Sequence, residues 1–198
     1  MNELLIKHAQ PLRAATSIRS TVLQSSLASL RSRGHFDAWS RAMDPIHRTA
    51  VAESLAPSWM PIEIALAHYQ ACEAINLPLS EQVAMGEAVG DRIQGTFLAT
   101  LMKSARASGL SPLILFKQFD RLYGRLFEGG SIQLTQTGPK DLEVEIAGLP
   151  LSRYAYFRTA FTGVVRAGFV FSGVRSNYVK QHSYNAKTES FVLRAAWV

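Results

Sequence analysis

The chain has 198 residues, 47% of them apolar, and a formal net charge of +6 from 21 basic and 15 acidic side chains. That composition describes a globular protein with a substantial core, and excludes a disordered chain. No apolar run approaches the roughly 18 residues needed to cross a bilayer as a helix. Basic residues outnumber acidic ones by seven to four over residues 1–60 and by eight to four over 131–198, against six and seven over 61–130. An excess spread over both ends makes no dense basic stripe, and nucleic acid is not favoured as a partner. The start, MNELLIKHAQ, lacks a basic segment followed by an apolar one, so no secretory leader is expected. Cys72 is the single cysteine; it excludes an internal disulfide and fits a reducing compartment, with the cytoplasm as the expected location.

The first third reads as helical. In STVLQSSLASL, Val22, Leu23, Leu27 and Leu30 recur at helical spacing, and Arg31, Arg33 and Gly34 mark the end. HFDAWSRAM groups Phe36, Trp39 and Met43 on one face of a short helix. Asp44-Pro45 is an N-cap followed by a proline at N1, opening a helix to about Leu55. APSWMP reads as a turn, after which Pro61 starts a helix from Ile62 to about Ile75. Ser80 is suited to cap the next helix, with Glu81 near the positive end of its dipole. That helix runs to about Ala107 and holds Gly86, Gly90 and Gly95. Each costs roughly 1 kcal/mol against alanine, so three together imply close packing or a kink.

Ser111-Pro112 caps one more helix, whose buried stripe is Leu115, Phe116, Phe119, Leu122, Tyr123 and Leu126, and Gly129-Gly130 ends it. The period then changes. SIQLTQT and LEVEIAG alternate apolar and polar residues, with Ile132 and Leu134 facing Leu142, Val144 and Ile146 across the turn GPKD. A helix over 153–171 follows, then strands at about 174–181 and 189–197, with Phe191, Leu193, Ala195 and Trp197 on one face.

This order predicts an α+β protein, a helical N-terminal part followed by hairpin, helix and hairpin, with a mainly antiparallel four-stranded sheet. Residues 1–34 read as a partly helical N-terminal extension and 35–198 as a single α+β domain. Within the helix of 153–171, Gly163, Ala167 and Gly168 stand among Phe157, Phe161, Val164 and Phe169. These small residues are expected to admit the sheet or the glycine-bearing helix; a second chain and a ligand are the alternatives.

Trp59 and Pro61 in SWMP, the run AVGDRIQGTFLAT, the run TGVVRAG and the terminal AAWV together resemble a paralogous bacterial family. It is abundant in myxobacteria and known as a domain of unknown function. The resemblance spans about residues 35–198. More distantly, that family is similar to small-molecule sensor and trafficking domains: the 4-vinyl-reductase-type ligand-binding domain, the haem-nitric-oxide-binding domain and vesicle-tethering subunits. The resemblance implies a binding or scaffold module, often dimeric, with a buried apolar pocket in some members. The haem-binding branch carries Tyr-x-Ser-x-Arg for the haem propionates. It is missing here, and YGRLF at Tyr123 departs from it.

No catalytic signature stands out: there is no Gly-x-Ser-x-Gly, P-loop or Gly-x-Gly-x-x-Gly. Glu87 and Asp91, four apart, read as a solvated face. His68 and Cys72, also four apart on one helix, are two ligands of a metal site that needs four, and otherwise line the core or a pocket. Arg158 and Arg166 fall on one side of the 153–171 helix, with Arg175 extending the edge. They form either a clamp for a carboxylate or phosphate or a solvent-facing stripe. Phe157 and Phe161 are the expected pocket wall.

The sequence therefore points to a non-enzymatic regulatory or sensory binding module with an apolar small-molecule pocket. The alternative is a protein-interaction scaffold acting as a homodimer or with a signalling partner. A haem or metal sensor through His68 is the outsider, so the cofactor stays unassigned with haem not excluded.

Overall fold

The computed structural model describes residues 2–106, 112–174 and 176–198. Helix α1 (Ser20–Ser32) carries the predicted apolar stripe: Leu23, Leu27 and Leu30 are fully buried. Helix α2 (Phe36–Ala42) turns Trp39 into the core. Helix α3 (Pro45–Ala52) starts as its sequence dictates. Asp44 Oδ1 accepts the otherwise unpaired backbone N–H groups of Ile46 at 2.9 Å and His47 at 3.4 Å. Asp44→Ala should therefore cost about 1 kcal/mol, seen as a lower urea midpoint with an unchanged slope, whereas Asp44→Asn should keep most of it.

Helix α4 (Ile62–Ala74) follows Pro61 as expected. Helix α5 (Leu79–Arg106) begins one residue before the predicted cap Ser80. The stripe from Leu115 to Leu126 is divided between α6 (Pro112–Phe116) and α7 (Phe119–Leu126) instead of running as one helix. Phe116 and Phe119 still meet across the break, ring centroids 4.7 Å apart. The predicted cap Ser111 lies outside the described residues, as does Arg175.

Two antiparallel sheets complete the fold. Strands β5 (Ser131–Gly138) and β6 (Asp141–Ala147) form the first predicted hairpin, and β7 (Asn177–Asn185) and β8 (Ser190–Trp197) the second. Between them runs α8 (Ala155–Phe171), after a single 3-10 turn over Pro150–Arg153. Cross-strand pairs align the apolar face: Ile132 with Ile146, Leu134 with Val144, Val144 with Leu193, Ile146 with Phe191. Alternation places Glu143 and Arg194 on the opposite face, where they pair at 2.7 Å.

The α+β class and the hairpin–helix–hairpin order hold, but the sheet has five strands, not four. Strand β1 (Glu3–Ile6) adds to β5, giving the order β1-β5-β6-β8-β7. Four residues, ELLI, carry no period to reveal a strand; the free edge of β5 makes it one. The stretch read as a turn at APSWMP likewise contains β3 (Trp59–Pro61). It pairs with β2 (Ser17–Arg19), which also pairs with β4 (Phe127–Glu128) in a small second sheet.

Segments within residues 2–34 pack onto the rest of the chain. β1 belongs to the main sheet, β2 to the second, and α1 supplies Leu23, Leu27 and Leu30 to the same apolar core as Trp39, Phe169 and Phe191.

Helix α8 is started by a distant residue. Its own N-cap, Tyr154, makes no side-chain cap, and its first turn holds no acid. Glu73 on α4 supplies the carboxylate, accepting the N–H groups of Tyr156 at 2.7 Å and Ala155 at 3.3 Å.

Candidate functional site

The side chains singled out on α4 do come together, inside the core. The i, i+4 spacing stacks His68 and Cys72 on one helix face. His68 Nε2 lies 2.9 Å from Ser26 Oγ of α1 and 3.6 Å from Cys72 Sγ. The imidazole is enclosed by Trp39 at 5.5 Å and by the edge of Tyr69 at 4.9 Å, centroid to centroid. Burial drives its pKa down to about 3 and pushes the Cys72 thiol up, so both are neutral at ordinary pH. A protonated, buried thiol is a poor nucleophile, and no cluster of three metal-ligating side chains occurs among the described residues. His68 and Cys72 are a polar knot in the core.

Helix α8 meets another backbone, which resolves the role of its small residues. A Cβ placed on Gly163 would fall 2.0 Å from the carbonyl oxygen of Val83, and one on Gly86 only 1.7 Å from that of Ala160. Gly90 faces Ala167 and Val164 in the same way. Of the two partners expected, the glycine-bearing helix is the one: α5 and α8 touch backbone to backbone. The surroundings of Gly95 lie outside the described side chains.

Next to this contact is a small apolar cavity of about 50 Å³. Phe157 and Phe161 line it, together with Tyr69, Met85, Val89 and Ile93. Phe157 is wedged edge-on against Tyr69 at 4.9 Å, and Phe161 edge-on against Phe191 at 5.6 Å. His68 and Cys72 are not in its wall.

Arg158 and Arg166 do not converge. Arg158 donates to the carbonyls of Ser152 and Arg153 and to Gln181 Oε1, and stacks on the Tyr184 ring 4.2 Å away. Arg166 pairs with Glu87 on α5 at 3.2 Å. The two are fastened to different neighbours.

A different set of arginines shares a recess. Arg19 at the end of β2, Arg92 on α5 and Arg125 on α7 line an open groove of about 720 Å³. The Arg19 guanidinium stacks on Trp59 at 3.9 Å, and Arg92 Nη1 donates to the Ser25 carbonyl at 2.7 Å. Ile93 and Leu126 belong to the wall of this groove and to that of the apolar cavity, so the two spaces adjoin. No spacing in the chain relates three arginines on three separate elements, and only the fold gathers them.

No family model matches the chain, and no curated protein is similar to it in sequence. Solved structures are similar in fold. An oxygen-binding H-NOX domain related to soluble guanylate cyclases aligns with a TM-score of 0.59 over 90% of this chain and 94% of that one, at 11% identity. An Fe(II) unliganded H-NOX protein from K. algicida aligns with a TM-score of 0.61 over 91% and 97%, at 6% identity. A third, from work on H-NOX activation, aligns with a TM-score of 0.57 over 91% and 96%, at 10% identity. At these identities the likeness is one of fold.

Among the described residues, neither the cavity nor the groove combines the room and the iron ligand that a haem needs. Pockets for ligands of drug size occupy about 300–1,000 Å³, well above the roughly 50 Å³ between α5 and α8. The larger groove has room, but no histidine, cysteine, methionine or tyrosine is in its described wall to bind iron.

Proposed function

We propose that this chain is a haem-independent binding module on the H-NOX fold, sensory or regulatory and without catalytic activity of its own. We further propose that it belongs to the paralogous family of unknown function that its motifs resemble. Its ligand is a small molecule with an apolar part that enters the cavity between α5 and α8. One observation carries the reading: a cavity walled by Phe157, Phe161, Tyr69 and Met85 in the interior of a haem-sensor fold, with no histidine in its wall. Signalling then requires a ligand that favours one arrangement of α5 and α8 over another.

The test is purification of the full chain, native and denaturing mass spectra side by side, and haemin titration followed from ultraviolet to visible. The expected result is a small mass excess that is lost on denaturation, with no stoichiometric Soret band. A stoichiometric band abolished by His68→Ala would overturn the reading in favour of a haem sensor.

A second reading, the homodimeric scaffold, is supported by β7. It is an edge strand, alternately half-buried and exposed, with Tyr178 60% exposed, and free edges recruit strands from second copies. A clean polypeptide mass at twice the monomer would favour it.

A further inference from the structure

We propose that the arginine groove and the adjoining cavity form one site for a single-chain anionic amphiphile, with the anionic head among Arg19, Arg92 and Arg125 and the tail passing Ile93 and Leu126. The inference rests on the binding-module reading and names the chemistry of its ligand. Its first support is charge. Three arginines line one recess, and no aspartate or glutamate is among the described residues that line it. A concave wall of one sign concentrates the opposite charge, and guanidinium groups match the geometry of carboxylate and phosphate. Its second support is preorganisation, since Arg19 is held flat on Trp59 and Arg92 is anchored to the Ser25 carbonyl of α1.

The third support is continuity of the walls. Leu122 and Leu126 of α7 and Ile93 of α5 give the groove an apolar side, and Ile93 and Leu126 continue into the cavity bounded by Val89 and Phe161. A free anion uses none of that surface, and a neutral hydrocarbon uses none of the charge. Only a molecule with both uses the whole site. A cavity of about 50 Å³ takes one or two methylene-sized groups, since a water occupies about 30 Å³. The remaining tail therefore lies along the groove.

The experiment is calorimetric titration of the full chain with four probes below their micelle concentrations: decanoate, decanol, decyltrimethylammonium and inorganic phosphate. Decanoate should bind at least tenfold tighter than decanol or phosphate, the ammonium should not bind, and hexanoate should be weaker than decanoate. Each methylene removed from water raises affinity about fourfold. Added salt should weaken decanoate and leave decanol unchanged. Arg125→Gln and Arg92→Gln should each weaken decanoate about fivefold or more, with far-ultraviolet circular dichroism unchanged. Val89→Phe, which fills the cavity, should weaken decanoate and decanol alike.

Decanol binding as tightly as decanoate, indifferent to both arginine substitutions, would overturn the head-group site while leaving an apolar-ligand module standing. Phosphate binding as tightly as decanoate would overturn the amphiphile. Failure of decanoate and decanol alike would overturn the amphiphile and the apolar pocket together.

Discussion

Gly86→Ala should destabilise the protein by at least about 3 kcal/mol, and Gly163→Ala should do the same. Overpacking is usually relieved by a side chain giving way. Here the obstacle is backbone: the carbonyl of Ala160 stands 1.7 Å from the new methyl at residue 86, and that of Val83 stands 2.0 Å from the one at residue 163. Only separation of α5 and α8 makes room, and separation opens the interface beneath Phe157 and Phe161. Gly124→Ala in α7 is the control. Its Cβ would meet nothing within 4 Å, so it should gain up to about 1 kcal/mol from helix propensity. Urea unfolding of the three variants measures this. A Gly86→Ala protein within 1 kcal/mol of the parent would show that the helices do not touch backbone to backbone.

Stability should fall steeply as the solution is acidified below pH 6.5, and His68 is the cause. Its folded pKa is about 3 because burial disfavours the imidazolium, against about 6.5 when unfolded. Above pH 6.5 both states hold it neutral and it contributes no slope. Between 6.5 and about 3 the unfolded chain binds a proton that the folded chain does not, so stability drops by about 1.4 kcal/mol per pH unit from this one group. The groups around the ring are Ser26 of α1, Trp39 of α2, and Tyr69 and Cys72 of α4, and none of them supplies a negative charge at these pH values. Glu81 acts in a lower window. Its hydrogen bond to Arg33, with His35 beside it, holds its carboxyl below the usual range, so its contribution is lost only at more acid pH. His68→Gln keeps a polar partner for Ser26 and removes the titration. It should cost about 1–2 kcal/mol at pH 8, and its stability should be nearly flat from pH 8 to 5. An equally steep acid slope in His68→Gln would assign the effect to other groups.

Local signals in the chain were enough for most of the elements. Asp44-Pro45 announces α3, the alternation in SIQLTQT and LEVEIAG announces the first hairpin, and the clustered glycines of α5 and α8 announce a close approach. That Phe157 and Phe161 share the apolar side of an amphipathic helix was legible for the same reason. Where the reading went astray, the deciding partner was remote. ELLI is a strand only because β5 has a free edge, and Trp59–Pro61 only because β2 runs beside it. The break between α6 and α7 falls at Lys117-Gln118, where the apolar stripe carries no helix-breaking residue. Arg158 and Arg166 share a helix side in the sequence, but Tyr184 and Glu87 draw them to different neighbours.

By itself the sequence determined the α+β class, the hairpin–helix–hairpin order and the i, i+4 placement of His68 and Cys72. Each depends on periodicity or capping within a few residues. Tertiary structure alone decided that β1 and β2 join the sheets, that Glu73 caps a helix some eighty residues further on, and that three arginines from β2, α5 and α7 share one groove. The physical reason is the same in each case. Burial, charge focusing and cap satisfaction depend on which surfaces meet in space, and residues that meet from distant segments leave no spacing in the chain to read.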